Sequence, residues 1–222
     1  MLNQRLGPFA ATIVVCVAAA ALSPAASSAQ DPILFVHGYL ESASLWNTMI
    51  GRFEKDGYAK SSLSAYSYNT SQSNKVDAEK EVKSHVESLL KATGATKVDI
   101  VAHSMGSLNT RWYIKFLGGE SKVDDWVSLG GPNHGTETAK FCFSTSCVEM
   151  RPGSTFLNEL NAEDETPGAV SYGTWWSPCD EIINPDSSVA LSGATNTETA
   201  CISHTALTTD ETVYKQVREF VK

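Results

Sequence analysis

Apolar and polar positions along the chain follow two alternating rhythms. Ile33 to Val36 is an unbroken apolar run after Pro32, the pattern of a strand buried on both faces. Leu45 to Glu54 places Leu45, Trp46, Met49, Ile50 and Phe53 at helical spacing, between an N-cap at Ser44 and a stop at Gly57. Leu63 to Tyr68 predicts a second strand. Asn74 to Ala92 predicts the clearest helix, with Val76, Val82, Val86, Leu89 and Leu90 on one face and Gly94 ending it. A strand over Lys97 to Ala102 and a helix over Met105 to Leu117 follow, the helix stopped by Gly118 and Gly119. Val123 to Leu129 predicts another strand, ended by Gly130, Gly131 and Pro132, and Pro167 to Trp176 holds one more. A short strand over Thr197 to Ile202 and a helix over Asp210 to Val221 close the pattern. Strands alternating with helices mean βαβ units and a mostly parallel sheet with helices on both faces, an α/β fold. In such sheets the chemistry sits beyond the C-terminal ends of the strands.

The first residues break this rhythm. Met1 to Ala10 carry one positive charge, Arg5, and Ala11 to Leu22 is apolar. Small residues then lead to Ala29. This is the form of a secretory signal peptide over residues 1–29, with a buried N-terminal helix as the alternative. The run is too short for a membrane span, and Cys16 would leave with it. Residues 30–222 then form a single catalytic domain of a secreted, extracellular protein with no stable membrane anchor. No repeat or low-complexity linker interrupts it. A formal net charge of −8 without a basic stripe argues against nucleic acid and against anionic membranes. A monomer is expected.

Cys142, Cys147, Cys179 and Cys201 remain in that domain. An even count in an exported chain suggests disulfides, and four cysteines allow three pairings. The local one, Cys142 with Cys147 and Cys179 with Cys201, is preferred over free buried thiols. No His or Cys pairs recur at zinc-ligand spacing, so no metal or cofactor is expected.

The chemistry concentrates in Val101-Ala-His-Ser-Met-Gly106. A strand ends at Ala102, a helix opens after Ser104, and small residues stand two before and two after the serine. This is a nucleophile elbow, in which the turn is too tight for larger flanks. An ordinary helix-capping serine is the plain alternative. A serine needs a base, and five histidines compete. His85 lies mid-helix, four residues after Glu81, on an expected solvated face. His103 adjoins the serine and should point elsewhere. His37, His134 and His204 follow strand ends. Two sets remain open: Ser104 with Asp124 or Asp125 and His134, or Ser104 with Asp180 and His204. Asp124 and Asp125 stand at the start of their strand, on the wrong edge of the sheet. Asp180 and His204 stand at C-terminal edges in the order Ser, acid, His, so the second set is preferred. Glu181 and Asp186 are rivals for the acid. Two backbone N–H groups must face the developing oxyanion. Met105 follows the nucleophile, and Tyr39 follows the close turn at Gly38; both are candidates.

With these residues in view, the chain resembles the secreted class 2 bacterial lipases, in particular the small actinomycete members. The resemblance is sharpest at Phe35-Val-His-Gly-Tyr39, Val101-Ala-His-Ser-Met-Gly106, Ser128-Leu-Gly-Gly-Pro-Asn-His-Gly-Thr136, Trp176-Ser-Pro-Cys-Asp180 and Cys201-Ile-Ser-His-Thr205. It implies an α/β-hydrolase fold, nucleophile, acid and base at Ser104, Asp180 and His204, and oxyanion donors at Tyr39 and Met105. It also implies hydrolysis of triacylglycerols and other carboxylic esters through an acyl-enzyme, without a cofactor. His134 resembles a site-edge position. A segment between Gly131 and Pro167, with Phe141, Phe143, Val148, Met150, Phe156 and Leu157, suggests a short apolar rim without a large lid. Trp175, Trp176 and Tyr39 are candidates for lining an acyl channel, with a core role equally open to the tryptophans.

Overall fold

The computed structural model describes residues 1–3 and 30–221. The signal peptide expected over residues 1–29, with Cys16, falls almost wholly outside the described residues. Among these, six strands form one sheet: β1 (Ile33–Val36), β2 (Leu63–Ala65), β3 (Val98–His103), β4 (Val123–Leu129), β5 (Ser171–Trp176) and β6 (Thr195–Glu198). Their order is β2-β1-β3-β4-β5-β6 and every pairing is parallel. The helices are α1 (Asn47–Lys55), α2 (Asn74–Asp77), α3 (Lys83–Thr93), α4 (Gly106–Phe116), α5 (Thr145–Glu149), α6 (Thr155–Leu160) and α7 (Glu211–Phe220).

Successive strand residues point to opposite faces, so the continuous apolar runs supply two cores at once. On one face Leu34, Val36, Ile100, Ala102 and Trp126 pack with Val86, Leu108 and Tyr113. On the other, Ile33, Phe35, Val101, Val127 and Trp175 pack with Met49, Phe53, Val213 and Val217. This two-faced burial is why the runs read as unbroken rather than alternating. The chain runs outward from β1 to β2 and returns to β3 on the other side of β1. That reversal opens a crevice beyond the C-terminal ends of β1 and β3.

The pattern predicted neither α5 nor α6, and three of the elements that it did predict differ. β2 ends at Ala65 rather than Tyr68, and the two tyrosines beyond it stack on histidines instead. Tyr66 lies on His85, with ring centroids 3.8 Å apart, and Tyr68 lies on His37 at 4.4 Å. His85 is therefore half-covered by an aromatic ring rather than solvated. β6 lies at Thr195–Glu198, earlier than expected, because Ile202 is drawn off to Ser177. The Ser177 hydroxyl donates to the Ile202 carbonyl (2.6 Å) and accepts from its N–H (3.0 Å). The long helix is interrupted by a π-helical turn over Ala78–Val82, between α2 and α3.

Candidate active site

The elbow takes its shape from close packing. Ser104 follows β3 directly, at φ +54°, a left-handed conformation that L-residues hold only when the surroundings impose it. Its N–H donates to the Leu129 carbonyl at 2.9 Å. A Cβ on Gly106 would stand 2.6 Å from the His37 carbonyl oxygen. One on Gly38 would stand 2.6 Å from Ser104 Cβ. Both positions therefore exclude any side chain. α4 opens immediately after the serine and directs its positive N-terminal end at it. The N–H groups of Tyr39 and Met105 find no acceptor among the described residues.

Asp180 and His204 meet although 24 positions separate them: the His204 Nδ1 donates to Asp180 Oδ2 at 2.7 Å. The second Asp180 oxygen accepts the N–H groups of Ile182 (2.8 Å) and Ile183 (2.9 Å). Burial pushes this carboxyl up, but the His204 bond and charge and the two amides outweigh it and hold it below its ordinary value. Burial, helped by the positive field of His103, lowers His204, against the pull of Asp180. A neutral imidazole with its Nδ1 proton fixed on a carboxylate leaves Nε2 free to accept. Ser104 and His204 line one cavity of about 380 Å³ with Tyr39, Met150, Ile183 and Phe141.

The sheet separates the other candidates. Asp124 pairs with Lys97 at the opposite edge. His134 Nε2 donates to Glu165 (2.7 Å) and its Nδ1 to the Ser188 carbonyl (3.2 Å), away from this cavity. Glu181 accepts the His204 N–H at 3.0 Å, while Asp186 accepts the Ser187 N–H in its own loop. The disulfides pair Cys142 with Cys147 and Cys179 with Cys201. The second ties the loop of Asp180 to that of His204. Trp175 belongs to the core, stacked edge-on against Phe220, and its Nε1 donates to Gln216. Neither it nor Trp176 lines the cavity, whereas Tyr39 does. Among the described residues no cluster of three or more His, Cys, Asp or Glu is placed to hold a metal ion.

Two residues emerge that the pattern of the chain did not assign. His103 does not simply turn away from the serine: it is fully buried, and its ring lies 4.5 Å from that of His204. Glu41 lines the cavity and bonds His103 Nδ1 at 2.8 Å. A glutamate three residues after His-Gly and a histidine inside the elbow were the only signals, and neither reveals the contact.

The mouth of the cavity is apolar. Phe141, 86% exposed, and the exposed Ile182 line it, while the exposed Phe143 and Leu40 are chain neighbours of the lining residues Cys142, Tyr39 and Glu41. Met150, Phe156 and Leu157, grouped with the rim by the sequence pattern, are buried beneath it. Among the described residues no helix is long and apolar enough to cross a membrane.

Residues 30–221 match the model of the family described as lipase (class 2). Among solved structures, the mature form of Bacillus licheniformis lipase BlEst2 is similar, with a TM-score of 0.77 at 17% identity, covering 88% of this chain and 94% of that one. A Listeria innocua gene product gives 0.67 at 16% identity, covering 87% and 94%. Aspergillus fumigatus lipase B gives 0.69 at 17%, covering 83% of this chain and 51% of its own. At these identities the likeness speaks for the fold.

Proposed function

The chain belongs to the class 2 lipase family, and from that premise we propose that it is a secreted triacylglycerol lipase in which Ser104, His204 and Asp180 form the catalytic triad. The observation that carries this reading is the strained Ser104 in one apolar cavity with a His204 whose Nδ1 is held by Asp180. His204 Nε2 takes the Ser104 proton as Oγ attacks the ester carbonyl. The Tyr39 and Met105 N–H groups receive the oxyanion. His204 then protonates the leaving alkoxide, and the same ring activates the water that cleaves the acyl-enzyme. Asp180 keeps the proton on Nδ1 and stabilises the imidazolium formed in each step.

The exposed Phe141 and Ile182 on the cavity wall, with exposed Phe143 and Leu40 next along the chain to lining residues, favour a lipid aggregate as substrate, since exposed apolar surface of this kind seeks an apolar partner. The acidic balance of the chain directs that preference to neutral lipid. Two disulfides fit an exported protein. The test is a hydrolysis profile over p-nitrophenyl esters and triglycerides of increasing acyl length. Turnover of emulsified triglyceride, lost in Phe141→Ser with Phe143→Ser while soluble ester turnover persists, is expected. Activity on soluble short esters alone would make this a short-chain carboxylesterase, and no turnover at all would make it a binding protein of hydrolase fold.

A further inference from the structure

Glu41 and His103 together touch three loops that the proposed chemistry must hold in register. Its Oε2 accepts the N–H of Gly38 at 2.7 Å, at the turn that presents the Tyr39 amide. The same oxygen meets His103 Nδ1 at 2.8 Å, inside the elbow and next to Ser104. The far nitrogen of that ring, His103 Nε2, lies 3.2 Å from the backbone carbonyl of His204. A carboxylate and a carbonyl only accept, so a ring bonded to both donates from both nitrogens, which is the imidazolium form. His103 is fully buried, so its charge is screened little and faces the Glu41 carboxylate directly.

We propose that Glu41 and His103 form a buried ion pair that positions the proposed site, locking the oxyanion turn, the nucleophile elbow and the base loop to one another. This rests on the assignment of Ser104 and His204 above. The pair completes the hold on His204, whose side chain is fixed by Asp180, its N–H by Glu181 and its carbonyl by His103. It also acts through charge. The His103 imidazolium sits beside the His204 ring and opposes a second positive charge there, so His204 stays neutral and competent as a base into mildly acidic solution. The groups facing His204 are Asp180, Glu181, Glu41 and His103, with His37 stacked on Tyr68 behind the turn. Burial tends to raise Glu41, but its bond to His103, the charge of that ring and the Gly38 N–H hold it below its ordinary value.

The sign of the charge effect separates this from simple packing. His103→Gln removes a positive charge and leaves the Glu41 carboxylate facing His204. The acid limb of kcat/KM then moves to higher pH, by on the order of one unit. Adding Glu41→Gln removes the stranded negative charge and returns the limb most of the way. The kcat loss, about tenfold with KM within twofold, persists in the double variant because the tether is gone. A limb that does not move in His103→Gln, or does not return in the double variant, overturns the proposal. A second measurement needs neither turnover nor a stable variant. Nitrogen-15 chemical shifts of labelled histidine in the wild-type chain are expected to show His103 with both nitrogens protonated at neutral pH, and a neutral tautomer there overturns it as well. Complete loss of hydrolysis in Ser104→Ala tests the underlying assignment separately, so a failure of either can be told from a failure of the other.

Discussion

Buried carboxylates stand at both ends of the same strands, and the two ends treat them oppositely. At the C-terminal end, Asp180 and Glu41 each meet a histidine and one or two backbone N–H groups, and both are held below the ordinary carboxylate value despite burial. At the N-terminal end, Asp99 of β3 is 2% exposed. Its Oδ1 accepts one amide, from Asp125, at 3.2 Å. Burial first, then the charges of Asp125, Asp31 and Asp124, push it up to about 8. Asp31 is raised too, by burial and Asp124. At Asp31 the charge of Lys97 opposes this, but Lys97 is itself bonded to Asp124. Burial is common to both ends, so it is the partner that sets the direction. A buried carboxylate that faces a histidine stays ionised, whereas one that faces like charges is a cost to the fold.

The comparison is tested most severely by Ser104→Ala, which places the chemistry at the C-terminal end. It should lower ester hydrolysis by about 10⁶-fold, with the melting curve of the wild type. Asp180→Asn should cost about 10⁴-fold, because the amide no longer fixes the imidazole tautomer. Near-normal turnover in either variant would dissolve the distinction between the two ends.

The pH profile sharpens it. His204 is lowered by burial and by His103, so kcat/KM should rise with pH through a midpoint below ~6.5. Stability carries the two ends with opposite sign. Asp180 and Glu41 have depressed folded values, so their contribution is present above the unfolded carboxylate range and is lost as pH falls through those values. Asp99 has a raised folded value, so its cost grows as pH rises above 3.8 and levels off beyond about 8.

Removing the tie between the catalytic loops, by Cys179→Ser with Cys201→Ser, should lower stability by roughly 3 kcal/mol in the chain-entropy model and reduce turnover as well. Cys142→Ser with Cys147→Ser removes a bridge that closes a loop of 5 rather than 22 positions. It should cost less and mainly alter discrimination among acyl lengths. Calorimetry together with the ester profile reads both. The smallest effect belongs to the N-terminal end. Asp99→Asn should leave kcat/KM unchanged and raise the melting temperature at pH 7 by a few degrees, as relief of about 1 kcal/mol would. The gain should shrink as pH falls toward 3.8 and vanish well below it, where the aspartate is protonated folded and unfolded alike. An activity loss in Asp99→Asn would show that the two ends are coupled.

The chain itself carried the strands, the helices and their alternation, because burial on both faces forces unbroken apolar runs and because capping residues mark helix ends. It also carried the elbow around Ser104. The tight turn needs Ala102 and Gly106 locally, and no distant residue is required to recognise it. Strand-edge reasoning then favoured Asp180 and His204 over Asp124 and His134, since edge position follows from order along the chain. What periodicity missed depended on neighbours in space. β2 stops early because Tyr66 and Tyr68 find histidines to stack on, and β6 shifts because Ser177 captures Ile202. Trp175 reads as channel or core equally well until the face of β5 it occupies is known. Glu41 and His103 are 62 positions apart, and His103 and His204 are 101 apart. No local propensity couples such residues. Only the parallel sheet, by bringing the ends of β1 and β3 and the loop before α7 to one edge, sets a carboxylate, an imidazole and a carbonyl within bonding distance.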